Sequence, residues 1–304
     1  MKIDNKIIAL AGPTACNKSA ISITLAQKIN AEIVNVDSIL VYKKMNIGSA
    51  KPLKSDMLKV KHHLVDIIEP WESYSVGKFL EDVRNSIKII HQKKKNVLLV
   101  GGTMFYFKTL INGISTLPSS NYIIRKKMLE KPLEYWQNFL IEKDVESTKK
   151  INFNDSQRVL RICEIILSSG KKYSDLIKEN KRKNGFGSRI KMYFLLPVDK
   201  KDLHKRIEDR FSLMLNKGFL EEVSNLKNMP QMNVNLPSMR GIGYRQAWEY
   251  LSGNLDYNTF VGSTIHASKM LSKRQITWIK NWSLPSSIIS LDKKFEDYKL
   301  DSFF

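Results

Sequence analysis

Eight consecutive residues have the types and order needed to hold a phosphate group: Gly12, Pro13, Thr14, Ala15, Cys16, Asn17, Lys18 and Ser19. They follow an apolar run, Ile7–Ala11, and Lys18-Ser19 opens a stretch with helical spacing. A strand, a tight loop and a helix N-terminus in that order aim backbone N–H groups and the helix dipole at an anion, and a lysine adds a point charge. The Ser19 hydroxyl is a candidate ligand for Mg2+. The pattern G-x-x-x-x-G-K-[ST] asks for glycine where this chain has Asn17. Asparagine is among the few side chains that tolerate the left-handed backbone such a position uses.

Two further polar clusters lie where apolar runs end: Asp37-Ser38 after Ala31–Val36, and Gly101-Gly102-Thr103 after Asn96–Val100. A carboxylate such as Asp37 can accept a proton from a reacting group or ligate magnesium. Asp66, ending His63-Leu64-Val65-Asp66, is a rival for that role on pattern alone. Thr103 can hydrogen-bond a reacting group or cap the helix that follows. His62 and His63 have no third ligand at zinc spacing and read as surface and strand residues.

The elements that position these groups follow from periodicity. Helical faces run over Lys18–Ile29 and Val76–Lys95, and short strands over Ala31–Val36, His63–Ile68 and Asn96–Val100. From about Pro118 to Arg189 the strand signal vanishes and helical patterns such as Gln157–Leu167 take over. A last strand, Lys191–Val198, precedes helices over Lys200–Lys217, Leu220–Asn228, Tyr244–Leu251 and Tyr257–Trp282. The expected fold is α/β: a P-loop-type, doubly wound, mostly parallel sheet with a helical insertion domain and C-terminal helices. The expected division is 1–117 for the first part of the core, 118–189 for the insertion, and 190–304 for the last core strand and the closing helices. Ligands gather at the carboxyl ends of strands in such sheets, where all three polar clusters fall.

Fifty Lys+Arg against thirty Asp+Glu give a net charge of +20 over 304 residues, which fits a polyanionic partner such as nucleic acid. A plainer source of the charge is a lysine-rich composition alongside abundant Ile and Asn. Two cysteines, Cys16 and Cys163, make neither a disulfide framework nor a metal cluster and fit a reduced, cytoplasmic setting. No stretch approaches the ~18 apolar residues of a membrane span, so a soluble protein without a membrane partner is expected.

Several segments together resemble the tRNA dimethylallyltransferase (isopentenyl-tRNA transferase) family. They are Gly12–Ser19, Asp37–Tyr42, Met45–Pro52 (MNIGSAKP), Leu99–Lys108 (LVGGTMFYFK), Leu236–Gln246 (LPSMRGIGYRQ) and Lys273–Trp278 (KRQITW). The resemblance implies transfer of a dimethylallyl group from dimethylallyl diphosphate to N6 of the adenosine 3′-adjacent to the anticodon, with Mg2+ assisting. It implies Asp37 as general base with Thr103 beside it, and Gly12–Ser19 with Arg210 on the diphosphate. Read alone, Arg210 is a solvated helix charge. For the tRNA anticodon stem-loop the resemblance implies four segments. These are Asp37, Ser38, Ile39 and Leu40; Gln157, Arg158, Val159, Leu160 and Arg161; Arg240, Gly241, Ile242, Gly243, Tyr244 and Arg245; and Lys273, Arg274, Gln275, Ile276, Thr277, Trp278, Ile279 and Lys280. Thr103 and Arg125 complete that set. Tyr244 and Trp278 are stacking candidates, though such aromatics more often lie in the core. The chain departs from the family at Asn17, and at Cys16, where serine is common. A monomer is expected. Two other classes stay open on the residues themselves: a P-loop small-molecule or nucleotide kinase, and a non-catalytic RNA-binding protein.

Overall fold

The computed structural model describes residues 6–179 and 185–290; the last part of the expected third segment, 291–304, lies outside the described residues. In chain order the first elements are β1 (Ile7–Ala11), α1 (Lys18–Lys28), β2 (Ala31–Asn35), α2 (Lys54–Lys59), β3 (His62–His63), α3 (Val76–Gln92), β4 (Asn96–Gly101) and α4 (Met104–Asn112). The short helices α5 (Tyr122–Met128), α6 (Leu133–Lys143), α7 (Val145–Thr148), α8 (Ser156–Ser169) and α9 (Tyr173–Glu179) follow. The chain then runs through β5 (Ile190–Leu196), α10 (Lys200–Asn216), α11 (Phe219–Lys227), α12 (Tyr244–Leu251), α13 (Tyr257–Lys280) and β6 (Ser287–Ser290).

Among the described residues six strands form one parallel sheet, in the order β3-β2-β4-β1-β5-β6. Every residue of β1 and β2 is buried, as a parallel sheet covered on both faces requires. Ile8, Leu10, Ile33, Leu98 and Leu195 meet Ile21, Ile23, Leu25 and Ala26 of α1 on one face. Helix α3 presents Phe79, Leu80, Val83, Ile87 and Ile90 as one buried stripe, and Ser75 caps it by accepting the Lys78 N–H at 3.2 Å.

Two strand expectations needed correction. The extended run over His63–Ile68 reduces to His62–His63, because Leu64 (φ 60°) and Asp66 (φ 56°) turn left-handed. Lys191–Val198 is not the last strand, since β6 pairs with β5 at Tyr193↔Ser287. An edge strand with an exposed residue such as Ile288 (64%) carries no apolar run to reveal it.

The chain divides into two compact units, one of Met1–Ile111 with Phe186–Phe304 and one of Asn112–Gly185. The helical unit is thus bounded at 112 and 185, against the expected 118 and 189. The Phe186 N–H donates to the Leu110 carbonyl at 2.8 Å, so the returning chain rejoins the core beside the end of α4. Within the helical unit, Met128, Trp136, Leu140, Val159, Ile162, Cys163 and Ile166 form a separate core. In the larger unit α10–α13 close over Val41, Tyr42 and Met45.

His63 departs from a mere surface reading. Its Nε2 lies 2.7 Å from the carboxylate of Glu32, a β2 side chain only 3% exposed, which also accepts from Lys93 and Lys95. Burial pushes the Glu32 carboxyl up, but hydrogen bonds from His63, Lys93 and Lys95 outweigh it and hold it at about 2. A carboxyl depressed on folding contributes stability that is present above its ordinary value of 4.5 and lost as pH falls toward 2. Glu32→Gln is expected to cost on the order of 2 kcal/mol at neutral pH and to flatten the pH dependence of thermal unfolding between those limits. An unchanged acid limb would remove Glu32 from that role.

Candidate active site

The loop after β1 owes its shape to three backbone positions. A Cβ on Gly12 would stand 2.7 Å from the Leu195 carbonyl oxygen, so only glycine lets β1 turn there. Ala15 (φ 61°) and Asn17 (φ 58°, ψ 25°) are both left-handed, and Asn17 is the N-cap of α1 without a side-chain cap bond. Asparagine therefore takes the glycine conformation rather than a capping role. Lys18 Nζ donates to the Pro13 carbonyl at 2.6 Å and lies 3.7 Å from Cys16 Sγ. Ser19 is exposed on the first turn of α1.

The order β2-β4-β1 makes the three polar clusters neighbours. Ala11 registers with Gly101 and Asn35 with Val100, so the chain leaves these strands on adjacent tracks about 5 Å apart. Cross-loop bonds fix them there: Thr103 N–H donates to Val36 O at 3.3 Å, and Ser38 N–H donates to Thr103 Oγ1 at 3.2 Å. Thr103 also starts α4, its carbonyl accepting from Tyr106 at 2.9 Å. Its hydroxyl proton is left to donate elsewhere.

Asp37 is held by Asn35, whose side chain accepts the Asp37 N–H and donates to the Asp37 and Leu64 carbonyls at 3.0–3.1 Å. Asp37 Oδ1 accepts the Ile39 N–H at 2.9 Å; Oδ2 has no hydrogen bond among the described residues. Asp66 is differently placed. It pairs with Lys51, a buried ammonium that also reaches the Tyr42 carbonyl at 2.7 Å and Asn46 Oδ1 at 2.9 Å. Asp66 therefore pins the MNIGSAKP segment, whereas Asp37 keeps one carboxylate oxygen without a hydrogen bond among the described residues.

Arg210 is not a solvated helix charge. It is partly buried on α10, and burial lowers its pKa while the fields of Asp37 and Cys16 raise it. No hydrogen bond or ion pair holds its guanidinium among the described residues, although the charges of Asp37 and Cys16 act on it. A partly desolvated cation in that position suits an incoming anion. The donor set (a hydroxyl, a carboxylate) is hard oxygen and compatible with magnesium. No group of three or more His, Cys, Asp or Glu suited to a metal occurs among the described residues, so such an ion would depend on a bound anion for further ligands.

Sequence reasoning passed over Glu222 on α11. Its carboxylate accepts the N–H groups of Asn46, Ile47 and Gly48 at 2.7, 2.7 and 3.1 Å and the Tyr244 hydroxyl at 2.8 Å. It thereby ties MNIGSAKP to RGIGYRQ. Tyr244 is fully buried against Phe219, ring centroids 5.3 Å apart, and so is no stacking platform. Gly241 lies against Ile39, since a Cβ there would meet Ile39 Cδ1 at 3.4 Å. The segments Asp37–Leu40 and Arg240–Arg245 thus adjoin, with Arg240 and Arg245 exposed.

Helix α13 splits the segment Lys273–Lys280 in two. Lys273, Arg274, Thr277, Trp278 and Lys280 are exposed, whereas Gln275 and Ile279 are buried. Trp278 is 40% exposed, with Lys108 Nζ 5.5 Å from its ring centre. In the helical unit, Gln157 and Arg158 are exposed, Val159 is core, and Leu160 packs against that core. Arg161, one-third exposed, and Arg125, exposed at 55%, both pair with the buried Glu164, at 2.7 and 3.0 Å, and Arg161 also donates to the Pro118 carbonyl. Burial raises the Glu164 pKa, but hydrogen bonds from Arg125, Arg161 and the Asn121 N–H lower it further. Buried Val159, Tyr244, Gln275 and Ile279 have no side chain to offer a large ligand in this conformation.

Comparisons with known proteins find relatives over nearly the whole chain. The model of the IPP transferase family matches residues 40–282. A tRNA dimethylallyltransferase of Francisella philomiragia is 47% identical over 305 residues, covering 99% of each chain. Its counterpart in Francisella tularensis subsp. novicida is 46% identical, covering 98% of each. Among solved structures, the full-length tRNA isopentenylpyrophosphate transferase of Bacillus halodurans superposes with a TM-score of 0.71 at 28% identity, over 98% of this chain and 94% of that one. A eukaryotic dimethylallyltransferase acting on tRNA gives a TM-score of 0.82 at 26% identity, over 98% of this chain and 77% of that one.

Proposed function

The chain belongs to the IPP transferase family, and from that premise we propose that it moves the dimethylallyl group of dimethylallyl diphosphate to N6 of the adenosine 3′-adjacent to the anticodon of tRNA. The observation that carries this reading is the adjacency of the loops after β1, β2 and β4, which bring the phosphate loop, the Asp37 carboxylate and Thr103 together. Arg210 lies in the field of Asp37, without a hydrogen bond or ion pair among the described residues. In the reaction an N6–carbon bond forms as the allylic carbon–oxygen bond breaks. The bonding pair leaves with diphosphate and the N6 proton passes to Asp37. Lys18, Arg210 and the loop N–H groups bind the diphosphate and stabilise the charge that grows on it. Ser19 would hold a magnesium ion, which would supply further charge neutralisation when bound. Thr103 donates its hydroxyl proton toward the reacting centre from a position fixed by Ser38. Asp37 accepts the proton through Oδ2, since Oδ1 is engaged by Ile39.

An anticodon-loop base can be splayed out of the stack and inserted into a pocket. Arg240, Arg245, Lys273, Arg274 and Lys280 are exposed charges that suit the RNA backbone in the core unit, and Arg125 and Arg158 do so in the helical unit. Arg158 and Arg161 then differ in kind. Arg158→Ala is expected to weaken tRNA binding and reduce the log–log salt slope by about one unit. Arg161→Ala is expected to lower stability by about 1–3 kcal/mol, because it strips a partner from buried Glu164. Salt titrations of tRNA binding and thermal melts of both variants check this; equal slopes would return Arg158 to a solvated surface charge.

The deciding experiment supplies purified protein and tRNA with either dimethylallyl diphosphate or ATP. Mass gain of one dimethylallyl group at that adenosine supports the proposal. Consumption of ATP without alkylation would mean a kinase, and tRNA binding without either would mean a non-catalytic RNA-binding protein.

A further inference from the structure

Gln275 lies between Arg274 and Ile276 in a segment with exposed basic residues, yet it faces the other way. On α13 the residues Ser272, Gln275 and Ile279 form a buried stripe at spacings of three and four, while Lys273, Arg274, Thr277 and Trp278 face out. The amide of Gln275, 8% exposed, reaches across the crevice at the carboxyl ends of β1 and β4. Its Oε1 accepts the Thr14 N–H at 2.9 Å and its Nε2 donates to the Gly102 carbonyl at 2.9 Å. The amide orientation is fixed by chemistry, since a backbone N–H only donates and a carbonyl only accepts. Gly102 is shaped for this contact: a Cβ there would stand 2.6 Å from Gln275 Nε2.

We propose that Gln275 is a positioning residue for the transfer reaction, a clamp that sets the diphosphate loop against the loop bearing Thr103, and not a residue that touches RNA. This rests on the function proposed above. The clamp acts on two backbones at once. At Thr14 it fixes the middle of the phosphate loop, whose left-handed Ala15 and Asn17 follow directly. At Gly102 it fixes the residue before Thr103, which in turn holds Ser38 beside Asp37. Through these bonds one side chain sets the spacing between the groups on the leaving diphosphate and the groups at the attacking nitrogen. Without it, the Thr14 N–H and Gly102 carbonyl lose their partner in a buried place, and the two loops lose their common reference.

Two variants test this on the full chain, with wild-type protein measured alongside. Gln275→Met fills the same volume and removes both bonds. It is expected to raise KM for dimethylallyl diphosphate and lower kcat, reducing kcat/KM for the donor by about 10–100-fold. The affinity for tRNA and its salt slope are expected to stay within about twofold of wild type. Gln275→Glu keeps the shape and the bond to Thr14, but its ionised form sets an oxygen against the Gly102 carbonyl. Its transfer rate relative to wild type at the same pH is expected to rise as pH falls, because the protonated acid donates to Gly102 again. That recovery decides the matter even if the methionine variant fails to fold. Loss of tRNA affinity with donor kinetics intact would make Gln275 an RNA contact and overturn the proposal, as would unchanged kinetics or a pH-independent ratio for Gln275→Glu. Absence of transfer by the wild-type protein would instead overturn the proposed function.

Discussion

Replacing Asp37 by asparagine is expected to slow the chemical step by about 10²–10⁴-fold, the usual scale for loss of a general base. The substitution should leave the loop in place. Asn35 holds residue 37 through backbone groups that do not change, and the oxygen of the new amide can still accept the Ile39 N–H. What disappears is the second oxygen, the one without a hydrogen bond among the described residues. The amide nitrogen that replaces it cannot take a proton. Binding of tRNA and of donor should change far less than the rate. A magnesium ligand would behave differently: the variant would lose donor affinity, and added magnesium would partly restore the rate. Single-turnover transfer across a magnesium series separates the two roles. Rescue by metal, or a loss under about tenfold, would pass the proton to Asp66 or to solvent.

Lys18→Ala is expected to lower transfer by about 10²–10³-fold, as removal of a preorganised charge from a developing anion does. Lys18 folds back on its own loop, with Nζ on the Pro13 carbonyl at 2.6 Å. That posture places the ammonium at the loop's mouth and leaves it further protons to donate. Arg210 remains as a second cation in the variant, so residual activity should survive and should fall further in Lys18→Ala/Arg210→Ala. Affinity for tRNA should stay within a few-fold, because neither side chain lies among the exposed basic residues assigned to RNA. Transfer at the wild-type rate would remove Lys18 from the diphosphate site.

The sequence by itself determined the local chemistry. Ile7–Ala11 pointed to a buried strand, and the residues after it to a phosphate loop in which Asn17 tolerates a left-handed turn. It also placed Asp37 and Thr103 at strand ends, because an apolar run that stops at a polar residue marks where a buried strand surfaces. Tertiary structure decided what those ends do together. The order β2-β4-β1 makes three loops from distant parts of the chain adjacent, and no periodicity encodes which strand lies beside which. The same holds for each charge whose role changed. Asp66 read as a rival base, Arg161 as an RNA contact and Arg210, taken alone, as a solvated charge, whereas the fold pairs the first two with Lys51 and Glu164 and sets Arg210 in the field of Asp37. Gln275 is the extreme case, for its partner Thr14 is 261 residues away. A polar side chain is buried only where the fold supplies its hydrogen-bond partners, and a linear pattern records the face a residue occupies but not the partner that waits there.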